Sequence, residues 1–206
     1  MNSNPQQNSG RIVGLAAGLY SAMLGIALVW GLVRGLIPQW WSYPGPWDEP
    51  GPTPETAAML GTALGLGGVA LSYALERTVA GVRALGDRFG MVLAGIGWRE
   101  AVLLALFSSV GEEVLFRGCL QSEIGLLPAT LLFALVHVGP ERVYLWWTAS
   151  AFVFGLGLGL LYQTQGGLLG PIVMHFVINA INITLLGRKA AAANGDTPSL
   201  GSIPPP

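Results

Sequence analysis

Four stretches of the chain lack Asp, Glu, Lys and Arg over close to the roughly 20 residues that a helix needs to cross a bilayer: 12–33, 56–75, 143–161 and 167–187. Two further apolar stretches are interrupted. The first, 101–120, contains Glu112, Glu113 and Arg117, and the second, 124–138, is short and carries Pro128 and His137. Together they predict an all-α fold, a polytopic membrane helix bundle of about six transmembrane helices. Residues 1–10 and 190–206 are polar or rich in Pro, Gly and Ala without apolar periodicity, so disordered tails are expected on either side of a single transmembrane domain over 11–189. The apolar core of the first stretch exceeds a signal-peptide h-region and no cleavage site stands out after it, so it is expected to stay as an anchor.

Composition agrees with this pattern. Hydrophobic residues make up 52% of the 206 residues and charged residues 10%, against about 25% charged in soluble domains, and the mean hydropathy is +0.57. A net charge of −1 provides no basic face, which excludes nucleic acid as a partner and leaves the lipid bilayer as the surroundings. Arg77, Arg83, Arg88 and Arg99 lie in one connection, whereas 38–55 has three acids and no base. The positive-inside bias then puts both termini in the cytoplasm, with Arg34 alone on the wrong side. Trp40, Trp41, Tyr43 and Trp47 are expected at the outer interface, and Trp98, Tyr144, Trp146 and Trp147 at the inner one. Glycines spaced by four, such as Gly14/Gly18, Gly61/Gly65 and Gly155/Gly159, predict close helix packing.

Ionisable groups inside spans are costly and mark function by default. Glu112, Glu113, Arg117, His137 and His175 fall in or beside apolar segments, with Asn179 as a buried amide. The i, i+4 spacing allows Glu113 to pair with Arg117 and leaves Glu112 about 100° away around the helix. His175 and Asn179 share the same spacing and project side by side. Burying all six on three segments without reciprocal contacts would be prohibitive, so they are expected to converge on one polar cavity near mid-membrane.

The residue inventory narrows the chemistry. His-Glu-x-x-His is absent, and Asp48, Asp87 and Asp196 all lie outside spans, so neither a zincin site nor an intramembrane aspartyl pair is formed. Cys119 is the only cysteine, which removes disulfide frameworks and Cys-based zinc clusters. Ser108 and Ser109 lack a glycine-flanked nucleophile pattern and read as packing or back-bonding residues. What remains is a glutamate acting as general base on water, since a carboxylate held out of bulk water is well suited to take a proton and later return it to a leaving amine. Asn179 and a histidine could hold the developing oxyanion. A non-catalytic scaffold or immunity protein that binds a peptide or partner in the same cavity, and a proton-coupled transporter, remain open alternatives; the lack of an inverted repeat weighs against the transporter.

Glu112-Glu113-Val-Leu-Phe-Arg117-Gly118, then Leu132-Phe133-Ala-Leu-Val-His137, then His175-Phe-Val-Ile-Asn179 after Pro171 resemble the three motifs of the CAAX prenyl protease and bacteriocin-processing family, also called the Abi family. The likeness covers about 98–185, with the glycine-rich stretch around Gly155 and Gly159 between the second and third motifs. It implies an intramembrane endopeptidase acting on a membrane-associated peptide or lipidated protein, possible prenylation included. By the same resemblance Glu112 activates water with His137 assisting, Glu113 orients the site and pairs with Arg117, and His175 with Asn179 forms the oxyanion site. No cofactor is the favoured reading, because no ligand spacing typical of zinc is present; if Zn²⁺ is used, Glu112, His137 and His175 are the candidate ligands. Small size and minimal loops point to a prokaryotic inner membrane. The first two spans carry no motif.

Overall fold

The computed structural model describes residues 5–41 and 52–193. Among these, α1 (Pro5–Arg34) leads through a short 3₁₀ turn (Ile37–Trp40) towards α2 (Pro54–Thr78), α3 (Ala80–Val92) and α4 (Trp98–Glu113). α4 continues without a break into a π-helical segment (Val114–Gln121) and the single turn α5 (Ser122–Ile124). Then come α6 (Leu126–Leu135), a 3₁₀ turn (Arg142–Tyr144), α7 (Leu145–Gln165) and α8 (Leu169–Ala193). Four helices among the described residues are long and apolar enough to cross a membrane: those within Ser9–Arg34, Pro54–Thr78, Arg142–Gln165 and Leu169–Ala192. The chain is an all-α integral membrane protein.

Local chemistry sets the ends of these elements. Pro54 sits in the first turn of α2, and the Thr53 hydroxyl accepts from the Thr56 N–H at 3.3 Å, satisfying one of the donors that a helix start leaves open. Gly125 holds φ +85°, ψ 171°, a conformation that excludes side chains and turns the chain from α5 into α6. Gly166 ends α7 in the left-handed region, its N–H returning to the Tyr162 carbonyl.

Contact partners give the helix directions. Tyr20 packs on Gly111 and the Cys119 thiol donates to the Ala27 carbonyl, so α1 and α4 run parallel. Gly61, Gly65 and Gly68 meet Gly170, Val177 and Ile178 in rising order, so α2 is parallel to α8. Ser108 meets Asn179 while Glu113 meets His175, so α4 is antiparallel to α8. α7 is antiparallel to α8 through Leu161–Gly170 and Met174–Gly157, and to α6 through Leu126–Gly159 and Phe133–Gly155. Passes therefore alternate, and α1 begins on the face where α8 ends, with Ile12, Ala101 and Ile183 in one apolar cluster.

Several expectations change. Seven helices of ten residues or more stand among the described residues, one more than the six predicted. The seventh is α3, a 13-residue amphipathic helix: Leu85 is buried, whereas Arg83 and Asp87 are exposed. It is too short and polar to register as a span. α6 has ten residues where a span over 124–138 was expected, because Gly125 delays its start and the chain turns out of the helix after Leu135. Residues 5–10 and 190–193 are helical rather than tails, Pro5 standing at the first helical position that its fixed φ suits. Trp40 is 3% exposed instead of interfacial; its indole N–H donates to the Gly118 carbonyl at 2.9 Å. Trp41 is exposed as expected, and Tyr43 and Trp47 lie outside the described residues. Arg34 loses its anomaly by pairing with Glu123 at 2.7 Å.

The glycine pairs divide. Gly61/Gly65 and Gly155/Gly159 are packing contacts, but Gly14 and Gly18 face open space. A Cβ at Gly61 would stand 2.5 Å from the Gly170 carbonyl oxygen, while one at Gly67 would meet nothing within 4 Å. Gly61→Ala is expected to cost about 1–3 kcal/mol by forcing α2 off α8. Gly67→Ala should be neutral or stabilising by up to about 1 kcal/mol through helix propensity. Thermal unfolding of the two variants in one detergent measures the contrast, and equal melting temperatures would contradict it.

Candidate active site

The six polar residues come from three places: Glu112, Glu113 and Arg117 from the α4–π junction, His137 from the turn after α6, and His175 with Asn179 from α8. Glu113 is fully buried and Arg117 is 2% exposed. The Arg117 Nη1 donates to Glu113 Oε1 at 3.1 Å, its Nη2 donates to the Gly155 carbonyl at 3.0 Å, and the guanidinium lies 4.3 Å from the centre of the Phe133 ring. Three elements thus satisfy one cation. Gly155 contributes through its lack of a side chain, since a Cβ there would stand 2.9 Å from the Phe133 ring and 3.4 Å from Arg117 Nη2.

The π-helical segment has a structural cause. Widening the helix frees backbone groups from the regular ladder, and two of them find side chains: Gly118 O accepts from Trp40, and Arg117 O accepts from the Ser122 hydroxyl at 3.3 Å.

Both histidines have a defined tautomer. His137 Nδ1 lies 2.5 Å from the Phe133 carbonyl, which can only accept, so Nδ1 carries the proton. His175 Nδ1 lies 2.7 Å from Glu113 Oε1, the same oxygen that accepts from Arg117. There too Nδ1 is the donor. In the neutral rings each Nε2 is therefore a lone pair, and both point at Glu112: His137 Nε2 is 3.8 Å and His175 Nε2 3.9 Å from Glu112 Oε2. That oxygen is buried and has no direct hydrogen-bond partner. The separations are too long for direct bonds and suit bridging by an O–H donor.

Asn179 stands one turn from His175 on α8 and donates from Nδ2 to the Ser108 hydroxyl at 3.0 Å. Ser108 and Ser109 back-bond to Ala105 and Leu106, as the sequence suggests, but Ser108 in addition receives Asn179. All six candidate residues thus lie around one cluster.

Three contributions were not legible in the motifs. Tyr20, on the span without a signature, packs on Gly111 and interacts electrostatically with Glu112. The Gly155 carbonyl is a backbone group in a stretch read only as packing. Trp147 sets its ring at 4.9 Å and 81° to the His137 ring, and Thr148 donates to the His137 carbonyl at 3.0 Å, so the start of α7 fixes the turn that carries the imidazole. A single tyrosine in a long apolar stretch gives no sequence signal of its own.

Residues 94–181 match the family model described as type II CAAX prenyl endopeptidase Rce1-like. The likeness to CAAX proteases read from the three motifs therefore holds over the segment that carries them. The uncharacterized protein YpbD of Bacillus subtilis (strain 168) is 39% identical over 83 residues, which are 39% of this chain and 42% of that relative. The chain thus covers less than half the length of this relative. No solved structure matches. The Rce1-like match holds the three clustered motifs and leaves α1, α2 and α3 outside it.

Two imidazole nitrogens and a carboxylate are a donor set that zinc accepts. Among the described residues, however, no group of three His, Cys, Asp or Glu side chains is placed to hold a metal ion.

Arg117→Ala should destabilise the protein by about 3–5 kcal/mol, the scale of leaving a buried charge without its partner. Arg117→Lys keeps the charge but loses the planar two-ended contact with Glu113 and Gly155, so it should fall between Ala and wild type. Yield and melting temperature in detergent read both; a melting temperature for Arg117→Ala equal to wild type would show that the pair carries no stability.

Proposed function

We propose that the chain is an intramembrane endopeptidase that hydrolyses a peptide bond of a membrane-associated, lipidated protein or peptide with water activated by Glu112. The observation that carries this reading is the meeting of three acceptor atoms: Glu112 Oε2 and the Nε2 atoms of His137 and His175. Such atoms repel one another unless a hydrogen lies between them, so the cluster suits a water molecule that donates to the carboxylate.

The reaction follows from these positions. A water O–H gives its proton to Glu112, with His137 accepting the second O–H, and the oxygen attacks the scissile carbonyl carbon. The C=O electron pair moves onto oxygen, where the Asn179 Nδ2–H and His175 stabilise the charge. His175 can donate from Nε2 only while it holds the proton that Glu112 took from water, because Nδ1 is committed to Glu113. Collapse breaks the C–N bond, and that one proton, returned through Glu112, goes to the leaving amine. Glu113 and Arg117 do not react; they hold the His175 ring and the α4–α7 spacing. The Rce1-like match supports the peptidase class and a lipidated substrate.

Arg77, Arg83 and Arg88 stand at the end of α2 and on α3, on the face where α1 starts and α8 ends. We assign this face to the cytoplasm of a prokaryotic inner membrane by the positive-inside bias. A cysteine replacing exposed Arg188 should react with an impermeant thiol reagent only in inverted vesicles, and reaction in intact cells would reverse the orientation.

The enzyme test uses the purified full chain in detergent and a prenylated peptide. Glu112→Gln should abolish cleavage with the fold intact, since an amide keeps the shape and cannot take the proton. Asn179→Ala should lose about 10²- to 10³-fold in rate, and a strong chelator should leave the rate unchanged. Near-normal cleavage by Glu112→Gln defeats the general-base role. Chelator inhibition reversed by Zn²⁺ defeats the metal-free site.

A further inference from the structure

Ser108 and His175 belong to two rungs that join antiparallel α4 and α8. On the first rung Glu113 accepts from His175, and on the second, about 6 Å further along α8 and about 7.5 Å back along α4, Ser108 accepts from Asn179. The hydroxyl of Ser108 is buried, 4% exposed, and its own proton is used: Oγ–H donates to the Ala105 carbonyl at 3.2 Å. Only the Ser108 lone pairs are left to face α8, so the group of Asn179 that meets them must be the amide nitrogen. The chain from Asn179 Nδ2–H to Ser108 Oγ–H to Ala105 O runs in one direction and fixes which way the amide is turned. One Nδ2–H is committed to α4, which leaves the second as the donor that the proposed oxyanion role would use.

The neighbouring hydroxyl gives an internal control. Ser109 is fully buried and makes the same kind of back-bond, to the Leu106 carbonyl at 3.2 Å, on the same helix. It stands about 100° around the axis from Ser108 and receives nothing from Asn179. Buried serines in this helix therefore satisfy themselves without help from α8, and helix structure alone does not require the contact that Ser108 makes.

We infer that Ser108 is a positioning residue for catalysis, which selects the orientation of the Asn179 amide and so supplies the oxyanion site with a donor rather than a carbonyl. This inference rests on the endopeptidase reading and on Asn179 as the oxyanion donor. Without the hydroxyl, Asn179 has no partner that distinguishes its oxygen from its nitrogen, and the amide samples both orientations and other rotamers. The charge that forms in the transition state then meets a donor for only part of the time. Substrate binding, which precedes that charge, is unaffected.

The test is a double-mutant cycle on the full chain in detergent with a prenylated peptide. Ser108→Ala is expected to lower kcat about 10- to 100-fold, the scale of misplacing a positioned group, with KM within about twofold of wild type. Ser109→Ala should keep kcat within about twofold, and both variants should melt at similar temperatures. Ser108→Thr, which retains the hydroxyl, should recover most of the rate. In the Asn179→Ala background, Ser108→Ala should produce no further loss, because the group it orients is gone. Additive losses in that background would overturn the inference, as would normal kcat in Ser108→Ala or an equal loss in Ser109→Ala. If Asn179→Ala alone keeps full activity, the oxyanion role of Asn179 fails, and that outcome is distinct from an Asn179→Ala defect to which Ser108 is not coupled.

Discussion

A fully buried carboxylate in an apolar bundle has to be neutralised inside the protein, and the neutralisation of Glu113 organises most of what surrounds it. One oxygen of Glu113 accepts from Arg117 and from His175. Arg117 in turn reaches the backbone of α7 and lies against a ring of α6. The pair therefore ties four elements at a single point. Removing either partner would leave a bare charge where the dielectric is low, which is why such a pair is a constraint on arrangement more than a source of net stability. The glycines of α7 follow from it. Gly155 and Gly159 offer carbonyls to Arg117 and Gln121 at 3.0 and 2.8 Å, an approach that larger residues would obstruct.

Glu112 is adjacent in sequence and opposite in circumstance. No cation accompanies it; it faces two imidazole nitrogens whose protons lie on the far side of their rings. Two neighbouring carboxylates thus divide into one held by direct hydrogen bonds and one whose buried oxygen has no direct partner, and the difference arises from surroundings and not from the residues themselves. The division depends on the tautomers, which are set by a backbone carbonyl for His137 and by Glu113 for His175. Glu113 consequently also sets which nitrogen of His175 faces Glu112.

The outer elements have a supporting role that no motif records. α2 contributes none of the six site residues, yet its glycines seat it against α8, and Ser72 accepts from Asn182 at 3.3 Å. Lys189, at the end of α8, bridges Glu76 of α2 and Asp87 of α3 at 2.7 and 2.8 Å. These exposed ion pairs add little energy individually, but they join three elements at one face. Arg88 of α3 pairs with Glu141, just beyond the turn that carries His137. Phe89 of α3 packs edge-on to Trp147 at 5.2 Å, and Trp147 packs on His137. α3 thus braces the turn that carries His137 from outside the membrane-crossing set.

The sequence by itself determined the membrane class, the positions of the four long apolar helices and the identity of the clustered polar residues. Each rests on a large local term: a 20-residue apolar run has few alternatives to a bilayer, and ionisable groups within one have few alternatives to each other. The i, i+4 spacing also made the Glu113–Arg117 contact legible, since helix geometry fixes it without reference to other segments. Only the tertiary structure decided what depends on groups distant in sequence. Trp40 reads as an interfacial ring until Gly31 and Gly118 are seen to make room for it; α3 reads as a charged loop until α8 and α7 cover its apolar side. Tyr20 and the Gly155 carbonyl had no signal, because neither a solitary tyrosine nor a backbone oxygen advertises its partner. The proton positions on the two histidines were likewise beyond local reading. They follow from which acceptor meets Nδ1, and for His175 that acceptor lies 62 residues away along the chain.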